Sequence, residues 1–366
     1  MITLADIIRL YAAELLDKVG SSLLPSHRKT MQHIVKCRTP ALRGETWECS
    51  ECGKLHYSYH SCRNRHCPKC QHDRAELWLS KQQDLLLPAP YFLATVTVPR
   101  ELRALFQRHQ RVLYHILFQA AAQAIMTLGR DKKYLGADIG MMGVLHTWKR
   151  NLDYHPHIHF LIPGGGVTLD GKRWKYAKPD FLVHVRPLSL LIRRLFREAL
   201  KETDLYEQVP TTVWRSKWVS HIKSVGDGSA ALKYLAPYIM RVALSDKNIL
   251  NLKDGMVTFR YKDAKTGQFR TRCLPALDFI QQFLKHVLPK GFVKVRYFGF
   301  LATKKRDALD VIKELIGIRL DANDEKDKET EKVMRCPDCG GILIFIAELP
   351  KRRGPPQQET TLWPSF

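Results

Sequence analysis

The sequence contains no run of about 18 consecutive apolar residues, which is the length that a membrane-spanning helix requires. An apolar stretch does occupy the N-terminal region, but four charged side chains interrupt it: Asp6, Arg9, Glu14 and Asp17. Their spacing is typical of an amphipathic helix and not of a secretory signal peptide. We therefore expect a protein without membrane spans that works in the cytoplasm.

Acidic residues are few relative to basic ones, since 36 Asp and Glu stand against 59 Lys and Arg and give a net charge of +23. The basic residues recur along the whole chain instead of forming one tail. A positive excess of this size favours a polyanionic partner, and nucleic acid is the expected one. Solubility alone and binding to a membrane surface are the weaker explanations of the same charge.

Disulfide bonds are not expected, although the chain has nine cysteines. Most of them form Cys-x-x-Cys pairs and no secretion signal precedes them, a usage typical of metal binding in a reducing compartment. Cys49 and Cys52 form one pair, and Cys67 and Cys70 form another after 14 intervening residues. This spacing is typical of a tetrahedral structural zinc site, so the sequence predicts one zinc ion bound by these four cysteines.

Other ligand types crowd the same segment and leave a second or a substituted zinc site open. They are Cys37, Cys62, His56, His60 and His66. Cys336 and Cys339 form half of a further site, and no second pair lies near them in the sequence. A zinc-stapled scaffold without a partner is the alternative to a module that also contacts DNA.

The segment "YHPHIHFLIPGGG" places His155, His157 and His159 at alternate positions. Alternate side chains of a strand point to the same face about 6.5–7 Å apart, so two such imidazoles can share one metal ion. Because Pro156 cannot donate to a strand ladder, the strand is predicted to begin directly after it. The alternative is a polar face of a sheet that binds nothing.

A third ligand comes from the strand that precedes this segment. If the two strands form a hairpin that turns at residues 150–153, His146 lies opposite His157 and on the same face. The sequence therefore predicts a divalent metal site formed by His157, His159 and His146. Asp153 and His155 are the alternatives for the third position.

Two tyrosines follow in the segment "GDGSAALKYLAPYIMRVA", which has the pattern of a helix with Ser229 as its N-cap. Tyr234 and Tyr238 are four residues apart and share one face of that helix. Tyrosines at this spacing are commonly packing residues. Next to a metal site in a basic protein, they are also candidate nucleophiles for a DNA phosphodiester.

At this point the sequence resembles the rolling-circle, two-tyrosine HUH transposases of bacterial insertion sequences, the insertion sequence 91 family. The resemblance rests on "SCRNRHCPKC", "LHTW", "HPHIHFLIPGGG", "YLAPY" and "FIQQFLKHVLPKGFVKVRYFGFLA", in this order over roughly residues 10 to 340. The family implies an N-terminal zinc-binding domain and a catalytic HUH domain that nicks and joins single-stranded DNA at element ends. It implies His157 and His159 as the metal pair and Tyr234 and Tyr238 as nucleophiles that form a 5′-phosphotyrosine.

The expected fold class is α+β, with a central antiparallel sheet flanked by helices after a helical, zinc-ribbon-like N-terminal domain. The expected domains are residues 1–80, 85–305 and 306–366, the last with a charged linker and a disordered tail. Strands are predicted at 91–99, 139–148, 157–166 and 218–226, and helices at 1–36, 101–127, 187–204, 229–243 and 275–288.

The expected cofactors are structural Zn²⁺ and catalytic Mg²⁺ or Mn²⁺, and the expected partner is single-stranded DNA on the bacterial nucleoid. Three other functions compete with transposition. A replication initiator or relaxase would use the same chemistry, whereas a zinc-ribbon DNA-binding protein would bind DNA without a covalent adduct. A metal-dependent nuclease with water as nucleophile would cleave DNA without retaining it.

Overall fold

The computed structural model describes residues 1–70, 78–80, 82–83, 86–240, 243–263, 266–302, 304, 307–317 and 333–351. The side chains at positions 234, 236–240 and 307–308 are not part of that description. The predicted charged linker at 321–332 and the predicted disordered tail beyond residue 351 lie outside the described residues.

Helices and strands alternate irregularly along the described chain. Its α-helices are α1 (Leu4–Val19), α2 (Pro25–Lys36), α3 (Arg103–Arg108), α4 (Gln110–Arg130), α5 (Val185–Lys201), α6 (Thr212–Arg215), α7 (Ser229–Met240), α8 (Ala276–Leu284) and α9 (Asp307–Leu315). Its strands are β1 (Gly44–Cys49), β2 (Leu55–Tyr59), β3 (Tyr91–Thr97), β4 (Met141–Trp148), β5 (Tyr154–Pro163), β6 (Gly165–Val167), β7 (Trp174–Tyr176), β8 (Val219–Ser224), β9 (Ile249–Lys253), β10 (Met256–Lys262), β11 (Phe269–Pro275), β12 (Val295–Phe298) and β13 (Leu343–Leu349).

These helices and strands are divided between two compact units. Unit 1 comprises the described residues within Met1–Arg74, Arg241–Val287 and Asp321–Phe366, and unit 2 those within Ala75–Met240 and Leu288–Leu320. The domain boundaries predicted from the sequence follow the chain, whereas both units combine segments that are distant in sequence. In particular, β13 was expected in a separate C-terminal region but pairs with β1 of unit 1.

Unit 1 contains α1, α2, α8 and two antiparallel three-stranded sheets, with strand orders β13-β1-β2 and β11-β10-β9. Helix α1 begins with a capping box, in which the Thr3 hydroxyl accepts from the Asp6 N–H and the Asp6 carboxylate accepts from the Thr3 N–H. This exchange satisfies N–H groups that the first helical turn leaves without partners. The N–H of Leu4 donates to Asp246 at 2.9 Å, which fixes the start of α1 to a distant segment of the same unit.

Unit 2 is built around an antiparallel five-stranded sheet with the order β12-β4-β5-β3-β8. Helices α4 and α5 cover one face of it. Apolar residues recur every four positions on α5, at Leu188, Ile192, Phe196 and Leu200, and all of them are buried in this layer. Each such side chain contributes roughly 1.5–3 kcal/mol by leaving water. The α+β prediction with a central antiparallel sheet flanked by helices is confirmed.

Helix α4 is the one described helix that is long and apolar enough to cross a membrane. Most of its apolar side chains, among them Leu113, Leu117 and Phe118, are instead buried in the core of unit 2. Burial against the sheet therefore accounts for its composition. The sequence predicted a single helix over 101–127, and the structure divides this region at His109, where the backbone leaves helical geometry.

Strand β5 begins at Tyr154 and includes Pro156, so the predicted start after the proline was wrong. The ladder between β4 and β5 shifts register between His146 and Trp148. The ladder between β5 and β3 begins only at His157. Pro156 therefore lies next to the register shift on its β4 side and outside the ladder on its β3 side. Because neither neighbouring strand pairs with it, its missing N–H costs no strand hydrogen bond.

Candidate functional site

Three histidines meet on the face of the unit 2 sheet opposite α4 and α5. His146 pairs with His157 across the β4–β5 ladder, as the sequence predicted, and His159 lies two residues further along β5. Their metal-binding nitrogen atoms all lie within 4.8 Å of one another. His146 and His159 are buried, whereas His157 is half-buried and gives solvent access to the cluster.

The rings of this histidine cluster are held in fixed orientations. The Nδ1–H of His157 donates to the backbone carbonyl of His155 at 2.7 Å, which leaves the Nε2 lone pair of His157 for a ligand. The Nδ1 of His159 lies 2.9 Å from the Thr95 hydroxyl on the neighbouring strand β3. Hydrogen bonds at the second ring nitrogen of this kind orient histidines toward a metal ion.

Burial keeps the imidazoles in the neutral form that a metal ligand requires. Desolvation lowers the pKa of His157 to about 4 and that of His159 to about 3, and the charge of Lys149 or Lys223 adds to the effect in each case. Burial also lowers the pKa of His146 well below 6.5, with contributions from the other two histidines and from Lys294. At neutral pH the whole cluster is therefore a set of uncharged nitrogen donors.

These shifts predict how stability depends on pH without bound metal. The unfolded chain binds protons below the ordinary pKa of 6.5, whereas folded His157 and His159 bind them only near pKa values of about 4 and 3. The stabilising contribution is therefore complete above pH 6.5 and decreases as the pH falls, by about 1 kcal/mol per histidine at pH 5.5. Urea unfolding at pH 7.5, 6.5 and 5.5 measures this.

The control for that titration is the His157→Ala/His159→Ala variant, because zinc–cysteine bonds are also sensitive to acid. The loss of stability between pH 7.5 and 5.5 should be smaller in the variant than in the unsubstituted protein. Equal losses in the two proteins would contradict the assignment of these shifts to the histidine cluster.

Helix α7 covers the same face of the sheet as the histidine cluster. Its residues Ala231, Leu232 and Leu235 are buried against a layer of apolar side chains from β3, β4 and β5. That layer consists of Tyr91, Leu93, Met142, Val144 and Leu161. Tyr234 and Tyr238 belong to the α7 backbone as predicted, and their side chains lie outside the described residues.

The cysteines of unit 1 form two clusters that the sequence did not separate. Cys37, Cys62, Cys67 and Cys70 have their sulfur atoms within 4.8 Å of one another. The Sγ atoms of Cys62 and Cys70 are 3.8 Å apart, and the N–H of Cys62 donates to the Cys37 sulfur at 3.4 Å. Hydrogen bonding, chiefly from Cys62, lowers the pKa of the Cys37 thiol to about 7.

The predicted single site of Cys49, Cys52, Cys67 and Cys70 is corrected by this arrangement. Cys49 and Cys52 lie instead with Cys336 and Cys339, whose sulfur atoms complete a second set within 4.8 Å. The β1–β2 hairpin explains the separation, because its turn carries Cys49 and Cys52 at one end. The other end, where Gly44 pairs with Tyr59, lies about five residues or 17 Å along the strand.

Comparisons with known proteins show which family the chain belongs to. A family model described as "Transposase zinc-binding domain" matches residues 7–98, and one described as "Putative transposase" matches residues 140–308. A protein of Sinorhizobium fredii named "Putative transposase y4qJ" is 35% identical over 386 aligned positions, which cover 96% of this chain and 97% of that protein. The chain belongs to the insertion sequence 91 family of transposases.

A second relative of this transposase comes from Pseudomonas savastanoi pv. phaseolicola and is named "Transposase for insertion sequence element IS801". It is 27% identical over 310 positions, covering 80% of this chain and 74% of the relative. No solved structure matches the transposase. The cluster of Cys37, Cys62, Cys67 and Cys70 lies within its zinc-binding domain, and the histidine cluster and α7 lie within the second matched segment.

Sequence reasoning missed three features of the transposase. It weighed Cys37 and Cys62 only as alternatives, it left Cys336 and Cys339 without partners, and it gave no role to Thr95. In the sequence, Thr95 alternates with Leu93 and Thr97, which places the three on one face of a strand but does not show that Thr95 contacts a histidine.

Proposed function

We propose that this transposase nicks and rejoins single-stranded DNA at the ends of its element through a 5′-phosphotyrosine intermediate. One observation carries the proposal: three neutral imidazoles converge on the sheet face that α7, the helix with Tyr234 and Tyr238, also covers. This chemistry needs metal donors and hydroxyl nucleophiles, and we assign these roles to the histidine cluster and to the two tyrosines of α7.

The sheet register supports this placement of α7. Three rows of paired residues cross this face in order, from an apolar row to a polar one. They are Leu93, Leu161 and Met142, then Thr95, His159 and Val144, then Thr97, His157 and His146. The apolar row carries the helix, and the next two rows carry the metal donors.

The start of α7 lies at the apolar end of these rows, since a Cβ atom built on Gly228 would lie 2.8 Å from the Tyr91 ring. A helix rises about 1.5 Å per residue, so positions 234 and 238 lie about 9 and 15 Å from Gly228. Thr95 lies about 13 Å from Tyr91 along β3. For a helix parallel to the strands, the row of His159 would therefore lie between positions 234 and 238.

The chemistry assigns a role to each group. The tyrosine oxygen forms a bond to phosphorus while the bond from phosphorus to the 3′ oxygen breaks, and the proton lost by the tyrosine is balanced by the one that the 3′ oxygen gains. Because a tyrosine hydroxyl has a pKa near 10, this attack needs assistance. The histidine cluster would hold a divalent ion, which would assist by stabilising charge on the phosphate oxygens. Attack of a 3′-OH on the phosphotyrosine rejoins the strand.

Cations around the histidine cluster suit the phosphate backbone of DNA. Each histidine of the cluster has a nearby lysine whose positive charge helps to lower its pKa. Lys149 acts on His157, Lys223 on His159 and Lys294 on His146. Lys149 and Lys223 are exposed and therefore accessible to DNA phosphates. We propose that the protein meets single-stranded DNA here, on the nucleoid in the bacterial cytoplasm.

The three imidazole nitrogens also influence which metal ion the site prefers. Imidazole nitrogen favours Mn²⁺ over Mg²⁺ in affinity, whereas Mg²⁺ prefers oxygen and would need water and phosphate oxygens to complete its shell. We propose Mn²⁺ or Mg²⁺ as the catalytic ion, and structural Zn²⁺ in the zinc-binding domain.

The contact between Thr95 and His159 yields a prediction about metal affinity. Thr95→Val keeps the shape of the side chain but removes the hydroxyl that orients the His159 ring. Loss of such a contact weakens metal binding about 10- to 100-fold. Isothermal titration with Mn²⁺ measures the change. Thr97→Val is the matched control, because the Thr97 hydroxyl donates to the Val219 carbonyl and not to a histidine; an equal effect of both substitutions would contradict the orienting role.

A denaturing gel tests the proposed function as a whole. The purified protein is incubated with labelled single-stranded DNA from the flanks of its gene, with Mn²⁺, with Mg²⁺ and with EDTA. We expect label that migrates with the protein only when a divalent ion is present. Retarded DNA in a native gel without a covalent band would indicate a DNA-binding protein, and cleaved DNA that is not retained would indicate water as the nucleophile.

A further inference from the structure

Two cysteine turns with the same backbone geometry face each other in unit 1, Cys49–Lys54 and Cys336–Gly341. In each turn the N–H of the first cysteine donates to the carbonyl five residues later, at 3.1 and 2.7 Å respectively. The carbonyl of that cysteine accepts from the glycine after the second cysteine, at 3.0 and 2.9 Å. These glycines, Gly53 and Gly340, have φ angles of 64° and 80°, in the left-handed region that favours glycine.

The sulfur atoms of the two turns lie at the spacing of a tetrahedral metal site. Cys49 Sγ is 3.3 Å from Cys339 Sγ, and Cys52 Sγ is 3.9 Å from Cys336 Sγ. Four sulfurs bound to zinc at about 2.3 Å lie about 3.8 Å apart along the edges of a tetrahedron. The observed separations are well above the about 2.05 Å of a disulfide bond.

We propose that Cys49, Cys52, Cys336 and Cys339 bind a second zinc ion, and that this ion stabilises the attachment of strand β13 to strand β1 within unit 1. The zinc-binding family match ends at residue 98, so it assigns no ligand from the second turn. The site is also separate from the cluster around Cys37, with which it shares no cysteine.

Strand β13 needs additional stabilisation because its side chains bury little apolar surface. Its seven residues, Leu343–Leu349, are all exposed or half-buried. Its ladder with β1 shifts register between Thr46 and Trp47, and its packing includes an edge-to-face contact between Trp47 and Phe345 at 5.5 Å. A ladder with so little apolar burial gains little from the hydrophobic effect, whereas a structural zinc ion contributes folding free energy directly.

Side chains around the four sulfurs are arranged to support thiolates. His56 Nε2 lies 3.3 Å from Cys336 Sγ, within hydrogen-bonding distance of a bound thiolate. An ion pair at 2.5 Å between Lys54 and Asp338 joins the two turns directly. Gly341 lies so close that a Cβ atom there would come 2.8 Å from the Cys49 sulfur, which shows how tightly the second turn packs on the first.

The first experiment counts zinc by inductively coupled plasma mass spectrometry in the purified full-length protein with His157→Ala and His159→Ala, because three intact imidazoles would also bind zinc. We expect two zinc ions per chain, and one in the Cys336→Ser/Cys339→Ser variant. Cys62→Ser/Cys70→Ser should also retain one, because it removes the other site. Cys273→Ser is the matched control and should retain two, since Cys273 is exposed on β11 and belongs to neither cluster.

In the same histidine-substituted background, one zinc ion with all cysteines present, unchanged by Cys336→Ser/Cys339→Ser, would overturn the proposal, as would two ions retained in that cysteine variant. The assay contains no DNA, so its result is independent of the proposed nicking chemistry.

A second experiment leaves every cysteine in place and covers the case that the variant does not fold. A protease site is inserted into the sequence "DANDEKDKETEK" (321–332), the zinc-loaded protein is cleaved, and the fragments are separated by gel filtration. We expect the C-terminal fragment to co-elute with the rest of the chain and to separate after 1,10-phenanthroline removes zinc. Separation before zinc removal, or co-elution that persists after it, would overturn the proposal.

Discussion

Replacing Tyr234 and Tyr238 together by phenylalanine should abolish the covalent protein–DNA adduct. Phenylalanine keeps the ring but lacks the hydroxyl that forms the bond to phosphorus, so no other group in the proposed mechanism can retain the 5′ end. We expect adduct formation to fall by at least about a thousandfold, which corresponds to about 4 kcal/mol of lost transition-state stabilisation. The denaturing gel measures the adduct, and a native gel should show that binding to the same DNA persists.

The two single variants separate the roles of the tyrosines. If each tyrosine performs one of two sequential transfers, each single variant should still form an adduct with at least one element end, but neither should complete strand joining. Tyr176→Phe is the matched control, because Tyr176 is an exposed tyrosine on β7 of the same unit. An undiminished adduct in the double variant would show that the nucleophile lies elsewhere and would return both tyrosines to a packing role.

Replacing His157 or His159 by alanine should remove the catalytic metal and, with it, nicking. Each substitution takes one of three imidazoles from a cluster whose nitrogen atoms all lie within 4.8 Å of one another. The metal's contribution to the transition state is several kcal/mol, so we expect nicking to fall about a thousandfold at saturating DNA. Isothermal titration with Mn²⁺ should show the loss of one binding site, and a single-turnover nicking assay measures the rate.

His155→Ala distinguishes the histidine cluster from its sequence neighbour. His155 belongs to the same alternating run but not to the group of three, and it contributes its backbone carbonyl to the His157 ring. Because alanine keeps that carbonyl, the variant should retain the Mn²⁺ site and nick DNA within about tenfold of the unsubstituted rate. A loss as large as that of His157→Ala would place His155 among the ligands and contradict the assignment of His146 as the third one.

The alternating histidines show which parts of the site can be predicted from local sequence. A strand with period two places His157 and His159 on one face, and a short hairpin brings His146 opposite His157, so a register only a few residues long was enough to predict this part of the site. The same logic identified α7, although Ser229 is its first helical residue and not the predicted N-cap; the Ser229 N–H donates to the Asp227 carboxylate at 3.0 Å. Membership in the transposase family was also readable, because it rests on ordered motifs.

The cysteines show which parts of the structure local sequence does not predict. Spacing alone joined Cys49 and Cys52 to the nearest pair in sequence, Cys67 and Cys70, but the β1–β2 hairpin holds these pairs at opposite ends. Cys67 and Cys70 lie instead with Cys37, which directly follows α2, and Cys49 and Cys52 lie with Cys336 and Cys339, which precede β13.

By itself, the sequence determined the residue types, the local turns and the faces of individual strands, because these follow from the geometry of a few consecutive residues. The tertiary structure alone decided which cysteine turns meet, that Thr95 orients His159, and that β13 belongs to unit 1. These contacts join residues up to 290 positions apart, as for Cys49 and Cys339, and only the packing of whole elements can bring such residues together.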